Sequence, residues 1–183
     1  EADGKIASLR VGLERLRWLP REAAGRQVMA NIPTFEVVAL NDGAESARRA
    51  AIFGQLSRQT PEFSDAIEYV VFNPWWDVPD SIARKDKLAQ FRRDPGALSR
   101  MGYRIYDRAG NAVDGAGIDW NKVSAARFPY RIRQAPGPAN ALGQVKFIFP
   151  NPYAVYLHDT PERDLFARTA RTFSSGCNRV QDP

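Results

Sequence analysis

The chain is cut into short extended runs, each ended by residues that a strand tolerates poorly. Residues 27–32 and 35–40 are split by Pro33. Residues 67–72, Ile-Glu-Tyr-Val-Val-Phe, stop at Asn73-Pro74. Residues 144–149 and 153–159 are split by Pro150-Asn151-Pro152. Runs rich in β-branched and aromatic residues read as strands, and proline cannot donate to a strand ladder. Asn41-Asp42-Gly43 is a turn signal, and residues 50–55 form one more candidate strand. This punctuation predicts a mostly β fold and confines helices to a few places. Ile6, Leu9, Leu13 and Leu16 recur at helical spacing behind Asp3, a candidate N-cap, and Pro20 ends that helix. Residues 81–93 read as helix and 97–101 as a short helix. Residues 102–107 read as a strand, 115–126 as a further helical turn around Trp120, and 129–134 as a return to extended chain. Thr160 is placed to cap a short helix over 161–167, since proline suits the first helical turn.

Bulk properties bound the rest. A chain of 183 residues suits one domain, with room for an inserted subdomain, and can bury a core without staples. Its 44% hydrophobic and 26% charged residues are those of an ordinary globular protein. No apolar stretch approaches the ~20 residues of a membrane span. The first residue is Glu1 and no signal peptide is present, which reads as an excised or mature fragment. The net charge of +5 and pI of about 9.6 fit nucleic acid, anionic lipid, an acidic polymer or an unpartnered solvated surface. The basic residues 84–93 are interleaved with Asp86 and apolar positions, as on an exposed helix face. A single Cys and a single His cannot build a structural zinc site, and no glycine-rich phosphate loop is present.

Those two residues are the candidate chemistry. Cys177 lies in Ser174-Ser175-Gly176-Cys177-Asn178-Arg179-Val180, and His158 ends the run Ala154-Val155-Tyr156-Leu157. A thiol with a pKa of about 8.5 needs a base to become a nucleophile at neutral pH, and this is the one such pair available. In a strand over 154–159, Tyr156 and His158 share a face and Asp159 lies on the other. Asp159 is therefore a poor choice to orient His158; Ser174, Ser175 or a backbone carbonyl is better placed. Gly176 permits a tight turn that could aim the amides of Gly176 and Cys177 at a developing oxyanion. In extended chain Arg179 returns to the face of the sulfur, where it could bind a substrate carboxylate or tie down its own loop. The bland readings are a small buried hydrophobe for the thiol and a satisfied core residue for the imidazole.

The flanking residues decide between them. Ser-Ser-Gly-Cys-Asn-Arg-Val, preceded by Tyr-Leu-His-Asp-Thr-Pro, resembles the catalytic signature of the L,D-transpeptidases, closest to the large Gram-negative branch with a lid inserted in the catalytic domain. Leu13-Glu14-Arg15-Leu16-Arg17-Trp18-Leu19-Pro20, Asn31-Ile32-Pro33, Arg58-Gln59-Thr60-Pro61 and Phe72-Asn73-Pro74-Trp75-Trp76 look like that branch. So do Pro136-Gly137-Pro138, Asn140-Ala141-Leu142-Gly143 and Val145-Lys146-Phe147. Two departures stand out: Asn178 occupies a position that is usually apolar, and relatives continue beyond Pro183.

The resemblance implies a β-sandwich catalytic domain over 21–183, a linker helix over 1–20, an inserted mixed α/β lid over about 80–133, and a truncated C-terminus. It implies Cys177 as nucleophile and His158 as general base, with Gly176 and Cys177 amides as oxyanion donors. Tyr156, Arg179, Ser175, Ser174, Asn140 and Trp75 become candidate substrate-binding residues. Trp75 and Trp76 fit a groove wall or a core equally, and the insert fits a gate or a scaffold. The implied reaction is 3→3 cross-linking of peptidoglycan tetrapeptide stems through a thioester, in the periplasm. Carbapenems are the implied covalent inhibitors, and no metal, organic cofactor or nucleic acid is implied. A hydrolase on the same scaffold and an inactive peptidoglycan-binding module remain the competing readings.

Overall fold

The computed structural model describes residues 2–18 and 24–183, and divides into two compact units, residues 1–48 and 49–183. In the first unit α1 runs Ala2–Arg17 and carries no buried residue. Asp3 sits inside its first turn rather than capping it, where a carboxylate still favours the positive end of the helix dipole. Pro20, expected to end this helix, lies outside the described residues. Strands β1 (Arg26–Asn31) and β2 (Glu36–Asn41) pair antiparallel in register from Arg26 opposite Asn41 to Asn31 opposite Glu36. The Asp42-Gly43 turn has both residues at positive φ, 49° and 79°, the geometry that matches a hairpin to strand twist. It leads into β3 (Ala44–Gly54), longer than the expected 50–55 and fully buried over Ala51–Gly54.

The second unit holds two sheets. In chain order its strands are β4 (Tyr69–Phe72), β5 (Trp76–Asp77), β6 (Tyr103–Tyr106), β7 (Ala112–Val113), β8 (Arg131–Gln134) and β9 (Val145–Ile148). They are followed by β10 (Leu157–His158), β11 (Thr172–Ser174) and β12 (Asn178–Val180). One sheet runs β3-β12-β10-β9-β4 with β11 beside β3; the other runs β5-β8-β6-β7. The β10–β12 pair is parallel and its neighbours are antiparallel. The mostly β class is what the punctuation of the sequence predicts; the helix expected over 161–167 is a 3₁₀ turn at Arg163–Ala167 whose N-cap is Glu162 rather than Thr160.

The second sheet and the helices between β5 and β8 enclose a core of their own: Trp76, Leu88, Phe91, Tyr103, Ile105, Trp120, Phe128 and Ile132, with Tyr156 packed against it. Phe91 meets Trp120 and Tyr103 at centroid distances of 5.0 and 5.4 Å. The helical stretch predicted over 81–93 is present but not uniform. Asp80–Ile82 is α, Ala83–Lys87 is a π-helical turn, and Leu88–Arg93 is α again. Ala97–Arg100 forms the expected short helix, whereas the expected turn over 115–126 shrinks to a 3₁₀ segment at Gly115–Gly117.

The largest departure is β10, two residues where seven were expected. Asn151 explains it. Its Oδ1 accepts from the Tyr153 and Val155 amides at 3.1 and 3.2 Å, and its Nδ2 donates to the Phe149 and Val155 carbonyls at 2.6 and 2.8 Å. Those backbone groups are thereby withdrawn from a ladder, and Ala154 is held at φ 53°.

Candidate functional site

The register across three strands assembles the site. His158 on β10 lies opposite Arg179 on β12 and opposite Lys146 on β9. Paired residues project to the same face and residues two apart return to it. Lys146, His158 and Arg179 therefore share one face; the Tyr156 ring lies under the Lys146 ammonium at 4.1 Å, and the Tyr156 hydroxyl faces the Cys177 sulfur. The Tyr156 and His158 rings are 5.5 Å apart between centroids. Short as β10 is, it sets the one imidazole beside β12, which the one thiol immediately precedes.

Each reacting group has a defined partner. His158 is buried, and its Nδ1 bonds the backbone carbonyl of Asp159. Of the orienting groups considered from sequence, a backbone carbonyl is the one observed. A carbonyl only accepts, so the ring proton resides on Nδ1 and Nε2 carries the free lone pair. Burial first, then the charge of Arg179, push the imidazole down to about 3; Lys146 adds to this and the Asp159 carbonyl opposes it. The ring is thus neutral across the physiological range, with its Nε2 lone pair unprotonated. The Cys177 sulfur is 3.9 Å from the Ala154 carbonyl oxygen. Among the described residues no hydrogen bond joins it to His158. Burial raises the thiol pKa, while the amide and hydroxyl of Tyr156, then Lys146 and Arg179, pull it down. The Tyr156 hydroxyl also faces the Trp76 indole, and burial raises its own pKa. The resting pair is a thiol beside a neutral imidazole.

The loop carrying the nucleophile is built from its own polar atoms. Ser174 is buried; its hydroxyl donates to the Cys177 carbonyl at 2.6 Å and accepts from the Gly176 amide at 3.1 Å. That occupies the Gly176 amide, so of the two expected oxyanion donors only Cys177 is left unengaged by the Ser174 hydroxyl. Gly176 takes φ 118°, a backbone setting that disfavours any side chain. Its carbonyl accepts from the Thr60 hydroxyl at 2.9 Å, and the same hydroxyl accepts from the Gly54 amide at 2.9 Å. A Cβ at Gly54 would stand 2.2 Å from the Arg58 carbonyl oxygen, so the loop closes this tightly only over glycine. Arg58 extends the brace, donating to Ser175 at 2.9 Å and to both oxygens of Asp86 at 2.7 and 3.1 Å.

The remaining candidates divide by what holds them. Asn140 is 1% exposed. Its amide donates to the Pro74, Gln134 and Ala135 carbonyls, and its oxygen accepts from Leu142. Its polar atoms are spent on backbone, so it shapes the loop after β8 and presents nothing to a ligand; Ser174 is engaged in the same way. Both depart from the substrate-binding expectation because buried polar groups must find partners. Ser175 is exposed and engaged by Arg58. Trp75 is 40% exposed and stacks on the Arg133 guanidinium at 5.0 Å, while Trp76 is buried in the insert core. Arg179 forms an ion pair with Glu162, which leans toward the loop-tying alternative. Asn178 points away from the sulfur and is buried with its side-chain oxygen unpartnered. Sequence reasoning assigned no role to Thr60, Arg58 or Lys146. The signal available for Lys146 was a cation between the apolar residues Val145 and Phe147 of a short strand.

Residues 25–183 match the family described as YkuD, L,D-transpeptidase catalytic domain. A Haemophilus influenzae protein named "Putative L,D-transpeptidase" is 40% identical over 173 residues, which is 94% of this chain and 35% of that protein. The chain thus spans about a third of the length of that relative.

Proposed function

The chain belongs to the L,D-transpeptidase catalytic-domain family, and we propose that it forms 3→3 cross-links between peptidoglycan stems through a thioester on Cys177. What supports this reading most is the parallel pairing of β10 with β12, which sets His158 beside the strand that Cys177 immediately precedes, with the imidazole tautomer fixed so that Nε2 is the base. The reaction requires the sulfur, 3.9 Å from the Ala154 carbonyl oxygen at rest, to reach Nε2. The sulfur then attacks the carbonyl carbon of the third residue of a donor tetrapeptide, and its proton passes to Nε2. Charge developing on the carbonyl oxygen is met by the Cys177 amide. On collapse the bond to the terminal D-alanine breaks, and the departing amine takes the proton from Nε2. An acceptor amine from a second stem attacks the thioester, gives its proton to Nε2, and displaces the sulfur, which recovers that proton. His158 thus acts alternately as base and acid, as one group near the reacting bond can. The setting is the Gram-negative periplasm, where the polymer lies. A carbapenem opened by the same thiol gives a stable thioester.

The test uses purified disaccharide-tetrapeptide with mass-spectrometric detection. The expected product is a dimer lighter than two monomers by one D-alanine plus nothing else, with none formed by Cys177→Ala. Tripeptide monomer alone, with acceptor in excess, would assign the chain as a hydrolase. No loss of D-alanine and no carbapenem adduct on Cys177 would refute the reading.

A further inference from the structure

Two cations stand near the Cys177 sulfur, and one of them is already answered. Arg179 is ion-paired with Glu162. Lys146 differs. It is half-buried on β9, directly across from His158. Its ammonium sits 4.1 Å from the centroid of the Tyr156 ring. Among the described residues no carboxylate pairs with it. Asp77, the acid whose charge reaches it, is held by Arg133 at 2.7 Å. A cation on an aromatic face is attracted to the ring quadrupole but not neutralised by it, so the charge remains available to a neighbour. The edge of that ring carries the hydroxyl that faces the sulfur.

We propose that Lys146 is the positioning residue for negative charge at Cys177: its ammonium, docked on Tyr156 and matched to no carboxylate, holds the thiolate that attacks the substrate. This rests on Cys177 being the nucleophile of the reaction proposed above. The step is a proton transfer in which the S–H bond breaks, the Nε2–H bond of His158 forms, and the net charge of the site is unchanged. Lys146 acts on the two halves of that pair in opposite senses. It favours charge on the sulfur, against the larger effect of burial there, and disfavours charge on the ring. The groups acting on the pair are Lys146 from β9, Tyr156 just before β10, and Arg179, itself paired with Glu162; Asp77 from β5 acts on Lys146 and Tyr156. Of these, Lys146 is the one whose removal changes a charge that no partner balances.

The single thiol and single imidazole make the test clean. Alkylation of Cys177 by iodoacetamide is followed from pH 6 to 11, and the His158 ring proton is titrated by NMR in tag-free protein. Lys146→Met is expected to move the alkylation midpoint up by about one unit, a tenfold loss of rate at neutral pH. The His158 midpoint should also rise. Lys146→Arg should restore both, and Lys146→Gln serves if the Met variant does not fold. A merely structural lysine predicts slower alkylation at every pH with both midpoints unmoved, and that result overturns the proposal, as does a profile identical to wild type. Failure of the stem-peptide reaction in wild type, with the midpoint shifts present, would instead remove the cross-linking reading and leave this one standing.

Discussion

The two sheets of the second unit are built on opposite principles. The β5-β8-β6-β7 sheet and its helices close around aromatic and aliphatic side chains, with Phe91 wholly buried and Tyr103, Trp120, Phe128 and Ile132 no more than 3% exposed. The face of the other sheet that carries Cys177 spends its positions on Lys146, Tyr156, His158 and Arg179. Burying ionisable groups costs stability unless they are paired or neutral. Here the thiol and imidazole are kept neutral by their surroundings and Arg179 is paired. The comparison teaches where each kind of free energy is held: cohesion in the insert, reactivity on the strand face. Tyr156 belongs to both, packing on the insert core while facing the sulfur.

The sharpest way to test this separation is to remove the base. His158→Ala should slow carbapenem acylation of Cys177 by about 10²–10⁴-fold, with part of the rate returning at alkaline pH where the thiol ionises unaided. It should also flatten the acid limb of stability. The folded ring titrates near 3, below its ordinary 6.5, so below pH 6.5 the unfolded chain takes up a proton that the native state refuses. Stability from this group is complete above 6.5 and is lost as pH falls toward 3. Melting temperatures from pH 7 to 4 should therefore fall less steeply in the variant; equal slopes would mean that the ring is not held neutral.

Next in size is the converse change. Phe91→Ala empties a site in the insert core and should cost about 3–5 kcal/mol in chemical denaturation. Alkylation of Cys177 in the folded protein should stay within a few-fold of wild type. A large drop in that rate would show that cohesion and reactivity are not separable, with Tyr156 the evident link. The smallest effect concerns Asn178, on the back of β12. Asn178→Leu replaces an unpartnered buried oxygen with apolar surface and should gain about 1 kcal/mol, seen as a higher melting temperature. A loss would mean that the amide is satisfied in solution.

Much of this was legible beforehand, for reasons that differ by residue. Cys177 and His158 could be picked out because each is unique in the chain, and the strands because proline, asparagine and glycine punctuate them. Family membership followed from the residues around that pair. Lys146 could not be picked out, because its importance lies in standing opposite His158 across a ladder, and register is invisible in a single strand. The shortness of β10 was hidden for a related reason: residues 153–156 have strand-like composition, and only the side chain of Asn151 withdraws their backbone. Asn140 and Ser174 were read as polar groups offered to a ligand. In the fold their atoms answer backbone groups, a demand that depends on burial and not on residue type.

The base of the insert carries one more consequence. Trp76 pairs with Gln134 and Asp77 with Arg133, so the chain leaves and re-enters at adjacent points of one antiparallel ladder. Residues 78–132 thus hang from a two-stranded stem, and closing so long an excursion adds little entropy because that cost grows only with the logarithm of length. Seen from the stem, the insert is an interchangeable cassette. Its size could drift over evolutionary time, or be reset by an engineer grafting a segment between Asp77 and Arg133, without the strands beneath being asked to change their order.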